Sequence, residues 1–509
     1  MVPTGRSLVR GARGSHVAGH VVPRAPQEAY VEGVTTLRGT IPPGSPDFVY
    51  LPFDVPPGTA GLKVSYTYGK PPVPPGTPGN ALDIGLFDRR GTELGGRGFR
   101  GWSGGARTEF FVRADDATPG YLPGPLHPGT WYIALGPYTV APQGLPYEVT
   151  VTLEEGTAGQ TPEPVYPPDR ARGRGRDWYR GDCHLHSWHS DGRRAPAEIA
   201  ALARAAGLDF LNSSDHNTHA AHAHWADAAG DDLLVLLGEE VTTRNGHVLA
   251  LGTEPGTFVD WRYRARDGRW ARFARDIRRA GGLVVPAHPH ADCVGCGWRF
   301  GFAEADVVEV WNGAWTPDDE MALAAWDARL AASARDGRAW LPAMGDSDAH
   351  RDPDVVGLPQ TVVLADGLTR EAILEGLRAG RSYVAESRHV SLAFSVTADG
   401  GDRPGEQAGI GGRLAVGYDT AVTARLEVSG APRCSVRLVT DQGVVFTGEP
   451  LPVSGTGTVE WRTTPARAAY VRAEVRHEAA PGPVPGAMAA FTNPVFLGRA
   501  GGEGPAEGA

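Results

Sequence analysis

The feature that most restricts how this chain can fold is a change of hydrophobic periodicity that occurs twice along its 509 residues. From about 27 to 155, apolar and polar residues alternate in short runs such as Leu62-Lys-Val-Ser-Tyr-Thr-Tyr and Tyr147-Glu-Val-Thr-Val-Thr-Leu, broken by Gly and Pro. A period of two with frequent turns predicts an antiparallel β-sandwich or jelly roll. From 178 to 384, short apolar runs alternate instead with Ala- and Arg-rich stretches of helical length. That texture predicts β-α units around a parallel sheet. Helices are expected over 195–206, 269–280, 317–335 and 369–379, with Pro196 and Pro317 in first positions and Thr316 as an N-cap. Strands are expected at 208–211, 233–237, 248–251, 283–285, 307–310 and 340–344. Alternation returns from 385 to 498 and predicts a second β-domain.

A chain of this length exceeds what one hydrophobic core supports. The expected order is a tail (1–26), an N-terminal β-sandwich (27–155), a Pro/Gly/Arg-rich linker (156–177), the central segment (178–384), a C-terminal β-domain (385–498) and a tail (499–509). A formal net charge of -10 argues against an extended nucleic-acid surface. Lysine occurs only at Lys63 and Lys70, which reads first as genome bias. The linker arginines Arg170, Arg172, Arg174 and Arg176 read as a solvated charge run. Four cysteines in so long a chain do not form a disulfide framework. No apolar run is long enough to predict a membrane span. The first 25 residues lack an apolar core of signal-peptide length, so the chain as given reads as cytoplasmic, with export open if the true start differs. The sequence leaves the oligomeric state open.

Of 16 histidines, 11 fall between His184 and His350, several of them just after expected strands. In a parallel β/α barrel the C-terminal ends of the strands converge on one mouth. The residues delivered there are His184 and His186, Asp215-His216, Glu239-Glu240, His247, His288 and Asp348-Ala-His350, with Asp191 shortly after the first pair. Imidazole and carboxylate are the ligands that suit zinc, manganese and iron, and a carboxylate can bridge two ions.

These residues stand in recognisable motifs: Gly181-Asp-Cys-His-Leu-His-Ser-Trp-His-Ser-Asp-Gly192, Ser214-Asp-His-Asn217, Gly238-Glu-Glu240, Gly246-His-Val-Leu249, Ala287-His-Pro289, Glu309-Val-Trp-Asn312 and Gly345-Asp-Ser-Asp-Ala-His350. In order and spacing, 178–384 resembles the PHP (polymerase and histidinol phosphatase) superfamily, and more narrowly its CehA/McbA-type metallohydrolases. Phe491-Thr-Asn-Pro-Val-Phe-Leu also resembles that subfamily's closing strand. The resemblance implies a distorted (β/α)7 barrel with two or three divalent ions (zinc, manganese or iron) in its mouth. It implies that His184, His186, Glu240 and Asp348 hold one ion, and that Glu240 bridges to a second held by His247 and His288. It further implies that Asp191, His216 and His350 hold a third, with Asp191 departing from members that have histidine there. The activity it implies is hydrolysis by a metal-bound hydroxide held by Glu240 and Asp348. Glu239 is expected to point away and be structural. Asp215 is expected either to orient a ligand or to cap a helix.

Other residues carry weaker expectations. Arg299, Arg351 and Arg381 are candidates for gripping an anionic substrate, and His189 and His290 for touching it. Trp311 and Trp315 suit either a pocket wall or core packing. His219, His222 and His224 are expected to face solvent. Cys293-Val-Gly-Cys296 lacks the second pair a structural zinc needs, leaving a redox pair or an extra ligand. The first functional reading is a phosphoesterase acting on a small phosphomonoester or phosphodiester, including nucleotides or oligonucleotide ends. The second is a carbamate or ester hydrolase at the same centre. The third is a surface protein whose β-sandwiches bind glycan or protein.

Overall fold

The computed structural model describes residues 27–31, 33–336, 339–401, 403–479 and 485–499; the expected tail 1–26, and all of the expected tail 499–509 but its first residue, lie outside the described residues. The N-terminal segment forms two antiparallel sheets. One contains Gln27–Val31, Val34–Ile41, Leu145–Glu155, Thr59–Tyr68 and Glu109–Arg113 in that spatial order; the other contains Val49–Val55, Gly129–Thr139, Ala81–Phe87 and Phe99–Gly104. Along Thr59–Tyr68, Leu62, Val64 and Tyr66 are buried while Lys63, Ser65 and Thr67 are exposed, as a period of two requires. These side chains meet Leu51, Phe53, Ile84, Trp131 and Ile133 of the second sheet in one core. Each fully buried aliphatic or aromatic side chain there contributes about 1.5–3 kcal/mol.

The second sheet is covered on its other face as well. Phe87, Phe99, Trp102 and Ala134 pack against Val241, Val248, Trp261, Trp270 and Phe273 of the central segment. Sandwich and central segment therefore share an aromatic core. Gly85 is required there, because a Cβ would come within 2.5 Å of the Trp102 ring.

The central segment departs from seven regular β/α repeats. Asp177–Asp182, Phe210–Ser213 and Leu234–Leu237 run parallel as expected, and Val308–Asn312 pairs in parallel with Ala343–Asp346. Glu239–Thr243, Gly246–Leu251 and Leu283–Ala287 are antiparallel instead. The described helices of eight residues or more are Pro196–Ala205, Trp270–Arg279, Pro317–Asp336 and Arg370–Arg378, so several crossovers carry none. The reason is local. Leu234–Leu237 runs through Gly238 directly into Glu239–Thr243, and a Cβ at Gly238 would lie 2.1 Å from the Ala250 carbonyl. Glu239–Thr243 then turns back at Arg244–Asn245 as a tight hairpin onto Gly246–Leu251, with no crossover helix.

Gln360–Ala365 and Ser382–Ala385 extend the first sheet antiparallel, and Met488–Thr492 joins it through the pair Tyr383 and Thr492. Asn493 then bonds both backbone groups of Ala343. The closing segment thus supports the strand that leads to Asp348 and His350. Ser391–Ala398, Gln407–Gly409, Val422–Ser429 and Gly457–Thr463 form a separate sheet packed on the C-terminal strands. No described helix is long and apolar enough to cross a membrane.

Candidate metal centre

Two ligand-bearing segments are stitched together by backbone bonds just beyond their strands. Asp348 N donates to the His184 carbonyl at 2.7 Å and His186 N to the Ala349 carbonyl at 3.0 Å. Leu185 and Ala349 form a parallel bridge, as do His216 and Glu240. Alternation along 184–186 buries Leu185 in the core and leaves both imidazoles on one side.

All nine expected ligands fall into four overlapping groups whose ligand atoms lie within 4.8 Å of one another. The groups are His184, His186 and Glu240; His184, His288 and Asp348; Glu240, His247 and His288; and His186, Asp191, His216 and His350. Glu240 faces two ways. Its Oε1 lies 2.9 Å from His247 Nδ1 and 3.1 Å from His288 Nε2, while Oε2 lies 3.4 Å from His184 Nε2 and 3.5 Å from His186 Nε2. Asp348 Oδ1 stands 2.9 Å from His186 Nε2 and 3.3 Å from His184 Nε2. In the outer group Asp191 Oδ1 is 3.3 Å from His350 Nε2 and 3.6 Å from His216 Nε2. The grouping differs in one respect from the expected division. The His186 ring lies against both His216 and His350, with centroids 4.2 and 4.0 Å away, and so borders the outer set as well.

The donor set fits divalent ions. Two ligands about 2.1 Å from one ion at a tetrahedral angle stand roughly 3.4 Å apart, close to the separations found. Among the described residues, His184 Nε2, His186 Nε2, Glu240 Oε2 and Asp348 Oδ1 are buried without a hydrogen-bond partner. Each such group costs about 1–3 kcal/mol unless something binds it. Partners on the other ring nitrogen fix the tautomers: His184 Nδ1 meets Glu309 Oε1 at 3.0 Å, His350 Nδ1 the Asp348 carbonyl at 2.8 Å and His216 Nδ1 the Thr242 hydroxyl at 2.6 Å. His184 and His350 are left with Nε2 facing the cluster, while His216 Nδ1 also stands 2.8 Å from Glu240 Oε2. His288 and Asp348 also hold positive φ, 27° and 48°, where side chains are strained.

Burial opposes charge on every one of these groups, and their neighbours decide the outcome. Burial pushes His186 down to about 3 and lowers His247. At His216 burial is overcome by Glu240 and Asp191, which raise it to about 10; His184, His288 and His350 are raised by facing carboxylates in the same way. Glu240, Asp348 and Asp191 are held below the ordinary carboxylate range against burial by the surrounding histidines.

The centre opens into a cleft of about 430 Å³ with walls from two segments. The sandwich supplies Asp83, Trp102, Ser103 and Tyr138, and the central segment supplies Asp191, Arg193, Asn217, Arg244, Trp261 and Arg351. Of the expected substrate residues, Arg351 lines this cleft, whereas Arg299, Arg381 and His290 do not. The Arg381 guanidinium instead pairs with Glu375 at 3.0 Å. His189 is buried where the sandwich meets the central segment and accepts from Gly120 N at 3.3 Å. Trp311 is buried in the core and Trp315 bonds Glu320.

Several expectations are corrected or resolved. Solvent exposure holds only for His224, because His222 is buried between Gly238 and Gly256 and His219 packs near Phe99 and Phe258. Asp215 neither orients a ligand ring nor caps a helix; it accepts from Ser187 N, Ser187 Oγ and Ser190 Oγ and so shapes the turn leading to Asp191. Glu239 turns away from the cluster and accepts from Val259 N. Cys293 and Cys296 are joined in a disulfide. Arg172, Arg174 and Arg176 form surface ion pairs with Asp231, Asp209 and Asp366. Sequence reasoning passed over the role of Glu309, although a carboxylate inside an apolar run was the available signal. Arg244, Asp83 and Tyr138 gave no such signal.

No protein-family profile matches the chain, and no curated protein does. Among solved structures it is similar to a two-domain protein from Bacteroides vulgatus described as containing a PHP-like metal-dependent phosphoesterase, at 16% identity and a TM-score of 0.35 over 67% of this chain and 100% of that one. It is also similar to a Bifidobacterium adolescentis protein described as a metal-dependent phosphoesterase, at 20% identity and 0.26 over 38% and 92%. An amidohydrolase from Chromobacterium violaceum is similar at 22% identity and 0.24 over 35% and 89%.

Proposed function

We propose that the chain is a metal-dependent hydrolase of the PHP type whose substrate is a small phosphomonoester or phosphodiester. The observation that carries this reading is Glu240, buried and presenting one oxygen to His247 and His288 and the other to His184 and His186. On this reading the nine ligands hold two or three zinc, manganese or iron ions, and the central strands are an irregular version of the PHP barrel. Such ions supply Lewis-acid polarisation and a water acidic enough to attack near neutral pH. The protein's own part is to hold the donors still: Glu309 fixes His184, Thr242 fixes His216, and Asn312 bonds both Glu309 and Asp348. Arg193, Arg244 and Arg351 around the cleft favour an anionic substrate.

Trp102, Tyr138 and Trp261 in the same cleft favour a second reading, an aryl ester or carbamate hydrolase. Elemental analysis of the purified chain, with turnover of bis-p-nitrophenyl phosphate compared against a 1-naphthyl carbamate, separates the two. Asp348→Ala and His350→Ala should abolish whichever activity is found. Full activity in either variant, or no bound transition metal in the wild type, would remove the proposed centre.

A further inference from the structure

Arg244 lies in the tight turn between Glu239–Thr243 and Gly246–Leu251, the hairpin that also carries Glu240 and His247. Its place relative to the metal-ligand cluster is therefore set by backbone pairing. The side chain is only 12% exposed. It runs across to the sandwich, where its guanidinium lies 4.0 Å over the Tyr138 ring and Nη2 stands 3.8 Å from Asp83 Oδ2. Nη1 is buried and has no hydrogen-bond partner among the described residues. A buried guanidinium normally satisfies its donors, since each ionic hydrogen bond forgone costs more than a neutral one.

The parts around it are braced rather than loose. The Tyr138 hydroxyl donates to the Val294 carbonyl inside the Cys293–Cys296 disulfide loop. Gly246 N, on the Arg244 hairpin, donates to the Gly295 carbonyl of that same loop at 2.7 Å. Tyr138 and the hairpin are thus tied to one four-residue ring, which fixes the stacked ring under the guanidinium. Arg244, Tyr138 and Asp83 all line the cleft beside His216, His247 and Asp191.

We propose that Arg244 is a specificity-determining residue for an anionic substrate: Tyr138 and Asp83 of the β-sandwich hold its guanidinium in the cleft wall so that its cleft-facing edge meets a phosphoryl oxygen of a substrate. This rests on the hydrolase reading above and deepens it, because the sandwich then completes the substrate site. Arg193 and Arg351 are exposed and add charge at the rim, whereas Arg244 is the arginine built into the wall.

The test uses the full-length, manganese-loaded protein with inorganic phosphate as the probe, titrated by calorimetry, and with metal content measured on every sample. Arg244→Gln should weaken phosphate binding about 10- to 100-fold, the range for a lost ionic hydrogen bond, at unchanged metal content. Arg244→Lys keeps the charge but loses the planar fork, and should fall between the two. Metal-loaded R244Q that binds phosphate within twofold of wild type would overturn the inference and leave the hydrolase reading standing. If R244Q loses its cooperative melting transition, R244K decides alone, and wild-type phosphate affinity in it would likewise overturn the inference. Wild-type protein that retains no metal would instead overturn the reading underneath.

Discussion

Replacing Glu309 by glutamine puts the ligand geometry under direct strain. Glu309 is fully buried and bonds in two directions: Oε1 accepts from His184 Nδ1 at 3.0 Å, while Oε2 accepts from His288 N at 2.7 Å and Asn312 Nδ2 at 3.1 Å. All three partners are donors when His184 turns Nε2 toward the cluster. A glutamine of the same shape has one acceptor oxygen and one donor nitrogen, so one side must place N–H against N–H in either orientation. If the amide faces His184, the ring flips its tautomer or turns, and Nε2 no longer points into the site. If it faces His288, the strained backbone at φ 27° loses its anchor. Loss of one ionic hydrogen bond of about 1.5–3 kcal/mol corresponds to roughly 10- to 100-fold in metal affinity, matching the usual effect of removing a ligand's supporting carboxylate. Competition against a calibrated chelator measures this directly, with thermal melting of the metal-free protein as a control for folding. An E309Q protein that melts normally and binds metal within twofold of wild type would refute the argument that Glu309 orients the donors.

Metal binding should release protons, because His184, His216, His288 and His350 are raised in the metal-free cluster and an ion must displace what they hold. Affinity is then expected to rise between pH 6 and pH 9, and calorimetry in buffers of different ionisation heat should differ; identical heats would contradict it. At the joint between the helix Pro317–Asp336 and the C-terminal strands, Arg472 is fully buried and pairs with Asp327 and Glu474. Arg472→Ala leaves Glu474 buried beside a lost partner and should cost about 3–5 kcal/mol, seen as a lower melting temperature; a change under 1 kcal/mol would show the network to be dispensable. Burial would raise Glu474, yet Arg472 and Arg476 hold it down to about 2 from 4.5. A depressed carboxyl contributes stability above its unfolded value and loses it as pH falls through the folded one. The melting-temperature advantage of wild type over Glu474→Gln should therefore shrink from pH 5 to pH 2, and a constant difference would refute the assignment.

By itself the sequence determined the kinds of donor and the places where they leave the strands. Imidazole and carboxylate side chains at the ends of apolar runs carry their chemistry in their identity, so His184, His186, Glu240, His288, Asp348 and His350, each a weak signal alone, were legible in combination as candidate donors. The β-sandwich was legible for a similar reason, since a period of two along 62–68 admits one buried face. Tertiary structure decided everything that depends on which residues meet. Gly238 has no room for a side chain because the Ala250 carbonyl packs against it, and His222 is buried because its two ring nitrogens find Gly238 and Gly256. Glu309 supports His184 across 125 residues of chain. Tyr138 reaches the loop at Val294 across 156. Periodicity is a local property and reports which face is buried, whereas a contact across such separations is set by how whole sheets pack. The donor set was therefore readable from the residues. Its division among Glu240's two oxygens, and the wall that closes over it, required the fold.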